Sequence, residues 1–361
     1  MNRGLSLYLD LLRFGMAATV WIGHSTFHGF TGTPFIFWFV FPYMQTAVMG
    51  FFVLSGFVIA YVVDTKERAP STYAIARLSR LYSIVIPALV VTLICDTIGQ
   101  SWDFHSYHLD PEEGPVAIPD NQPLRYLASF FLVQNFAVFP GGLLPGTNGP
   151  FWSLSYEVVY YAIFGLLLTR NWIFLLFGLP AIAALAGLGI IFLFPLWLLG
   201  VGTYHLNKRT RIPRPLALLL FVVTIYLLPK VGWLRSDEDF ADVHRLWLDY
   251  GEGLLIAVNI LAAYALSSLF ETAMGWCATF VRWLGNLTFA VYLCHYPLLI
   301  FFSAIRIGAP GTPQQHLWLF GGSFLVMALV TWFGDHARYA LRRWLTALTR
   351  RLQRAYDAGV A

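Results

Sequence analysis

Leu5–His28, LSLYLDLLRFGMAATVWIGHSTFH, is apolar and long enough to cross a bilayer, yet it carries an arginine and a histidine where hydrocarbon tolerates them poorly. Arg13 and His24 lie eleven residues apart. At about 100° per residue that spacing returns them to within about 20° of one helix face, with backbones about 16 Å apart along the axis. A cation low in the membrane and an imidazole high in it are therefore expected to look into one cavity. The plainer alternative has Arg13 snorkelling to the surface and His24 satisfied in the core. Ionisable groups within a span are costly and usually functional, which favours the cavity. Asp10, one turn before Arg13, suits the role of its partner better than that of a catalyst.

The rest of the chain demands the same environment. Of its 361 residues 58% are hydrophobic and 12% charged, and the mean hydropathy is +0.64. A soluble domain is about one quarter charged, so the composition predicts an all-α polytopic membrane protein with lipid, and not nucleic acid, as its surroundings. The net charge of +4 matters less than where the charges sit. Trp and Tyr crowd near segment ends, as residues of the membrane interface do. Cys95, Cys277 and Cys294 have neither metal spacing nor a paired arrangement, so no metal centre is expected. Leu5–His28 lacks a small-residue cleavage site and is expected to stay as the first transmembrane helix rather than leave as a signal peptide.

Charge orders the remaining segments. After a Gly/Pro/aromatic loop, Gln45–Val63 crosses back, and its GFFVLSG core puts Gly50, Ser55 and Gly56 where neighbouring backbones can approach closely. Lys66, Arg68, Arg77 and Arg80 follow, which makes this end cytoplasmic and the N-terminus with it. Leu81–Gly99 leads to an acidic outer loop with Asp103, Asp110, Glu112, Glu113 and Asp120. Tyr126–Phe139 is about half a span and reads as a re-entrant or interfacial piece. Pro150–Thr169 crosses inward, Trp172–Phe194 outward, and the short Pro195–Leu206 inward again to Lys208, Arg209, Arg211 and Arg214. Leu216–Leu234 exits to Asp237, Glu238, Asp239 and Asp242; Gly253–Phe270, Trp283–Ile305 and Leu317–Gly334 complete about ten crossings around a central cavity. Residues 1–338 form the membrane core. Residues 339–361, with Arg342, Arg343, Arg350, Arg351 and Arg354, form a basic amphipathic cytoplasmic tail on anionic lipid. Both termini then face the cytoplasm, in a multi-pass protein of the cell's inner (cytoplasmic) membrane. No internal repeat is evident, so the inverted-repeat signature of many transporters is missing.

Polar groups at membrane depth fall into two sets. On the inner side are Arg13 and the pair Arg77 and Arg80, which share a helical face and present planar donor forks suited to phosphate. On the outer half are His24, Trp152, Ser153, Ser155 and Glu157, with His28 at the rim. A buried carboxylate must pair or stay protonated, so Glu157 either holds His24 or an arginine or works as an acid/base itself. No G-x-S-x-G elbow is present, and a Ser/His/Glu triad is not required. His295, midway along the ninth span with Pro297 behind it, is a packing or kink residue or a supporting one.

Five stretches together resemble the acyltransferase 3 family of integral membrane O-acyltransferases: Arg13 with His24, GFFVLSGFVIA, the R-x-x-R of Arg77 and Arg80, the W-S-L-x-x-E of Trp152, Ser153 and Glu157, and the F-x-x-Y-L-x-H-x-P of Phe289 to Pro297. The resemblance implies transfer of a short acyl group, typically acetyl from acetyl-CoA, to a hydroxyl of a carbohydrate or cell-envelope glycan, as in O-antigen and exopolysaccharide acetylases. Acetyl-CoA or another acyl-CoA would be a co-substrate, with no tightly bound cofactor. Catalysis would rest on His24 and Glu157, donor binding on Arg13, Arg77 and Arg80, and support on Trp152, Ser153 and His295. Imidazole suits either a general base or a transient acyl-imidazole. Some relatives carry an extracytoplasmic SGNH-type domain, so this core is expected to act alone or to pass its acyl group to a partner transferase. The rival readings are a secondary transporter or flippase of an envelope precursor, and a non-catalytic scaffold or sensor.

Overall fold

The first helix starts where Asn2 caps it, its side-chain oxygen accepting the Leu5 N–H at 3.0 Å. It runs unbroken from Arg3 to His24, so the histidine of the opening stretch is the last helical residue. The computed structural model describes residues 1–26, 39–108, 118–235, 243–309 and 311–360, and among them the chain is helical without a β-strand. His28 and the acidic residues Asp110, Glu112, Glu113, Asp237, Glu238, Asp239 and Asp242 lie outside the described residues.

In chain order the helices are α1 (Arg3–His24), α2 (Met44–Thr65), α3 (Pro70–Trp102), α4 (Gln122–Phe130), α5 (Trp152–Thr169), α6 (Trp172–Ala186), α7 (Leu188–Arg209), α8 (Arg214–Arg235), α9 (Val243–Ala265), α10 (Ser267–Met274), α11 (Ala278–Ala304), α12 (Pro313–His316) and α13 (Gly322–Val360). Nine helical stretches among the described residues are long and apolar enough to cross a membrane, and α6 adds a shorter apolar helix of fifteen residues. The expected membrane segments correspond to α1, α2, α3, α5, α6, α7, α8, α9, α11 and α13.

Two boundaries differ from the sequence reading. Trp172–Phe194 and Pro195–Leu206 are not the units: the chain breaks at Gly187, which adopts φ +86°, and Pro195 sits inside α7. Glycine takes that backbone conformation without a steric penalty, whereas a proline within an apolar span is accommodated by its neighbours. The Gly253–Phe270 segment likewise begins earlier, at Val243, and ends at Ala265 before the separate helix α10.

Helix α4 is nine residues long and does not cross. The irregular backbone after it is exposed at Phe131, Val138 and their neighbours and buried from Pro145 to Asn148, the part that meets α3 and α11. Side-chain hydrogen bonds anchor it, although Gln134 Oε1 and Asn148 Oδ1 are buried without a partner. Asp96 of α3 accepts both the N–H and the hydroxyl of Thr147, at 2.9 and 2.7 Å, and Gln134 donates to the Phe151 carbonyl at 2.7 Å. Asn148 donates to Thr92 at 2.9 Å and to the Leu293 carbonyl at 2.8 Å. The second of these bonds has a covalent origin. Pro297 has no N–H to give the carbonyl four residues back, and Asn148 supplies the missing donor.

Helix α11 forms the centre, buried along most of its length and packed by α1, α3 and α13; α2 packs against α1, α7 and α9 beside it. The α2–α7 crossing is set by two glycines. A Cβ on Gly56 would collide with the Trp197 carbonyl, and one on Gly200 with the Val53 carbonyl. Small residues bring helices together where lipid gives no hydrophobic drive between them. Gly200→Leu should therefore destabilise the fold by about 1–3 kcal/mol or more, since backbone cannot yield as a side chain does. A lowered thermal midpoint in detergent checks this. Helix α13 continues without a break through Arg338 to Val360, so the basic stretch is a direct extension of the last span.

Candidate active site

Six helices, α1, α2, α3, α5, α11 and α13, enclose a cavity of about 190 Å³. Arg13, Arg77 and Arg80 line it, as do Ser153 and Glu157. The two sets that depth separated in the sequence are thus partly merged: Glu157 and Ser153 share a chamber with the arginines. Trp152, His24 and His295 do not line it. Trp152 instead packs edge-on to Tyr156, ring centroids 4.9 Å apart, and its carbonyl accepts from Asn135 at 3.0 Å.

The arginines differ in what already holds them. Arg13 donates to Asp10 at 2.9 Å and to the Gly285 carbonyl at 3.0 Å, so Asp10 is the partner its position suggested. Arg77 is buried and gives Nη2 to both carboxylate oxygens of Glu67 at 2.8 Å, with its guanidinium 6.0 Å from the Tyr161 ring centroid. The Nε atoms of both arginines are buried without a hydrogen-bond partner. Arg80 is joined at the cavity wall by Arg338 of α13. Neither guanidinium makes a hydrogen bond or ion pair among the described residues, which leaves two planar forks open to an anion.

Glu157 is held on one oxygen. Trp197 donates to Ser55 at 3.3 Å, Ser55 donates to Glu157 Oε1 at 3.2 Å, and the Tyr161 hydroxyl donates to the same oxygen. Tyr161 is one helical turn beyond Glu157, so this pair follows from i, i+4 spacing on α5. Across the cavity Ser153 and Tyr292 share a hydrogen bond of 2.9 Å. The buried hydroxyl of Thr288, also on the wall, has no partner.

One turn further along α11, beyond Tyr292, lies the histidine pair. His24 Nδ1 is 2.9 Å from His295 Nε2, and the two rings stack with centroids 5.0 Å apart. His295 is fully buried, and its Nδ1 is 2.9 Å from the Val291 carbonyl. The Tyr292 ring, which lines the cavity, lies 6.3 Å from that of His295.

A family model described as an acyltransferase domain matches residues 6–334. The chain belongs to this family. It is therefore a multi-pass membrane acyltransferase, and the matched span runs from the start of α1 into α13. No curated protein and no solved structure matched the chain.

The acyltransferase cavity draws on residues the sequence reading passed over. Arg338 stood at the edge of the tail, and only the fold of α13 against α3 brings it beside Arg80. Ser55 had been noted for close packing alone, yet it is a hydrogen-bond link to Glu157. Tyr161, at i+4 from Glu157, could have been found from helical spacing. Thr288 and Tyr292, at i+4 from one another on α11, share a face by the same rule.

Proposed function

We propose that this acyltransferase takes an acyl group, acetyl in the simplest case, from acyl-CoA and transfers it to a hydroxyl of a carbohydrate or cell-envelope glycan. The observation that carries this reading is a cavity in which four arginines from α1, α3 and α13 converge, two of them with uncommitted donor forks. Like charges gathered in a poorly solvated chamber repel, and an anion relieves them. A donor with several phosphates and a long polar arm suits this arrangement: phosphates on Arg80 and Arg338, beside Arg13 and Arg77, and amides of the arm near Thr288 and Glu157. The basic loops and the tail lie toward the same helix ends as Arg80 and Arg338, so the positive-inside rule makes this the cytoplasmic mouth.

The reacting end would lie past Tyr292, near His24. There the acceptor hydroxyl gives its proton to the imidazole as its oxygen bonds to the thioester carbonyl carbon. The carbon–sulfur bond then breaks, and the departing thiolate takes the proton back from the imidazolium. The products are an ester and free CoA thiol. General-base help of this kind contributes typically about 10²- to 10⁴-fold. Glu157 would accept a hydrogen bond from donor or acceptor within the chamber.

The test is thiol release from acetyl-CoA by the purified chain in nanodiscs, with an envelope glycan as acceptor. Charge-assisted hydrogen bonds are worth about 1.5–3 kcal/mol each, so Arg80→Ala combined with Arg338→Ala should raise the KM for acetyl-CoA at least about tenfold while leaving kcat near its starting value. An unchanged KM would contradict the donor site.

A further inference from the structure

One oxygen of Glu157 is spoken for and the other is not. The Trp197 indole N–H can only donate, so the Ser55 oxygen accepts it at 3.3 Å and the Ser55 hydroxyl passes its own hydrogen to Glu157 Oε1 at 3.2 Å. The Tyr161 hydroxyl donates to that same atom. Two donors fill its two lone pairs. Oε2 makes no hydrogen bond or ion pair among the described residues, and it is not sealed from solvent. It opens on the chamber that Glu157 lines.

Helix α5 sets the depth of this charge. Tyr161, Glu157 and Ser153 recur every four residues, all line the chamber, and lie about 6 Å apart along the axis. The Arg77 guanidinium is 6.0 Å from the Tyr161 ring centroid at one end of this ladder, and Ser153 meets Tyr292 at 2.9 Å at the other. Glu157 stands between. On α2, Phe51, Phe52, Val58 and Ile59 line the chamber one turn either side of Ser55, so on that side the carboxylate has apolar neighbours.

We infer that Glu157 is a specificity-determining residue that divides the chamber by charge: its carboxylate keeps the donor's phosphates at the arginines and admits past them only the neutral pantetheine arm, one of whose amide N–H groups Oε2 accepts. The inference rests on the donor site proposed above. A phosphate at the level of Glu157 would meet a like charge in a poorly solvated place, where repulsion is far stronger than in water. An amide N–H meets an acceptor instead. The donor therefore has one depth at which both of its ends are satisfied, and that depth sets how far the thioester reaches toward Tyr292. An acyl group carried on a bare phosphate, as in acetyl phosphate, is stopped short by the same charge.

Inorganic pyrophosphate, a compact anion without an arm, is the probe. Its binding to the full chain in nanodiscs is read by calorimetry, apart from any turnover. Glu157→Gln removes the charge and keeps the size. It should tighten pyrophosphate binding at least about tenfold, while kcat with acetyl-CoA falls because phosphates can settle too deep. Glu157→Asp keeps the charge, and its pyrophosphate binding should stay close to that of the unaltered protein. Glu157→Leu, after which the Ser55 and Tyr161 hydroxyls, 3.3 Å apart, can serve each other, should tighten binding as the glutamine does. Should one of the two uncharged variants fail to fold, the other decides. Unchanged or weaker pyrophosphate binding in a folded uncharged variant would overturn the inference, as would binding in Glu157→Asp as tight as in Glu157→Gln. Pyrophosphate binding that survives Arg80→Ala with Arg338→Ala undiminished would instead remove the donor site, and the inference with it.

Discussion

Replacing His24 with alanine should lower acyl transfer by about 10²- to 10⁴-fold while the protein still inserts and remains folded. The residue closes α1, and the buried apolar residues Leu5, Leu9, Met16, Ala17, Val20 and Trp21 that pack the helix into the protein lie earlier. Truncation removes the ring stack with His295 and an edge contact with Tyr296. It also removes the hydrogen bond between His24 Nδ1 and His295 Nε2, a loss of about 1–3 kcal/mol at most. Transfer measured with saturating acyl-CoA, together with a thermal midpoint in detergent, separates the two effects. Near-normal transfer by a folded His24→Ala protein would take the base out of the mechanism. A large loss of both transfer and folding would assign the residue to structure.

The other large effect belongs to Arg77, and it is expected in stability before affinity. Arg77 and Glu67 are an ion pair whose side chains retain 7% and 13% of their exposure, so removing one partner strands the other in a poorly solvated place. Breaking such a pair typically costs about 3–5 kcal/mol. Arg77→Ala should therefore lower the unfolding midpoint sharply, and Glu67→Ala should do nearly the same. Exchanging both for apolar residues of similar size, Arg77→Met with Glu67→Leu, should recover most of the loss, because desolvating the pair offsets much of its attraction. Arg80, which has no such partner, should show the reverse pattern: little change in stability and a weaker hold on the donor. An Arg77→Ala protein as stable as the original would mean that the pair is solvated in the membrane and that Arg77 is free to serve a ligand.

These contrasts mark what the chain discloses by itself. The helical class, the first span as far as His24, the Asp10–Arg13 pair and the close approach at Gly56 all follow from local rules, whereas the helix was expected to run on to His28. Each depends on apolar length, i, i+3 spacing or the absence of a Cβ. The limits are equally physical. The boundary was expected at Pro195, but the break fell at Gly187, where only the backbone angle distinguishes one glycine from another. Glu67 lies in the loop before α3 and reaches Arg77 ten residues on, a pairing that no helical period predicts. Arg338 joins Arg80 only through tertiary packing of α13 on α3. Glu157, grouped by depth with His24, lines the same cavity as the arginines, which the spacing along one helix does not disclose.

The central claim is that phosphates held by these arginines deliver an acyl group past Tyr292 to a hydroxyl beside His24. Incubating the purified chain in nanodiscs with acetyl-CoA labelled in the acetyl group, and with envelope glycan as acceptor, addresses it directly. The account predicts label in an alkali-labile ester on the glycan, free CoA thiol in equal amount, and neither with the His24→Ala protein. Label that stays on CoA, while the same protein in vesicles carries an envelope precursor across the bilayer, would contradict it and favour a transporter.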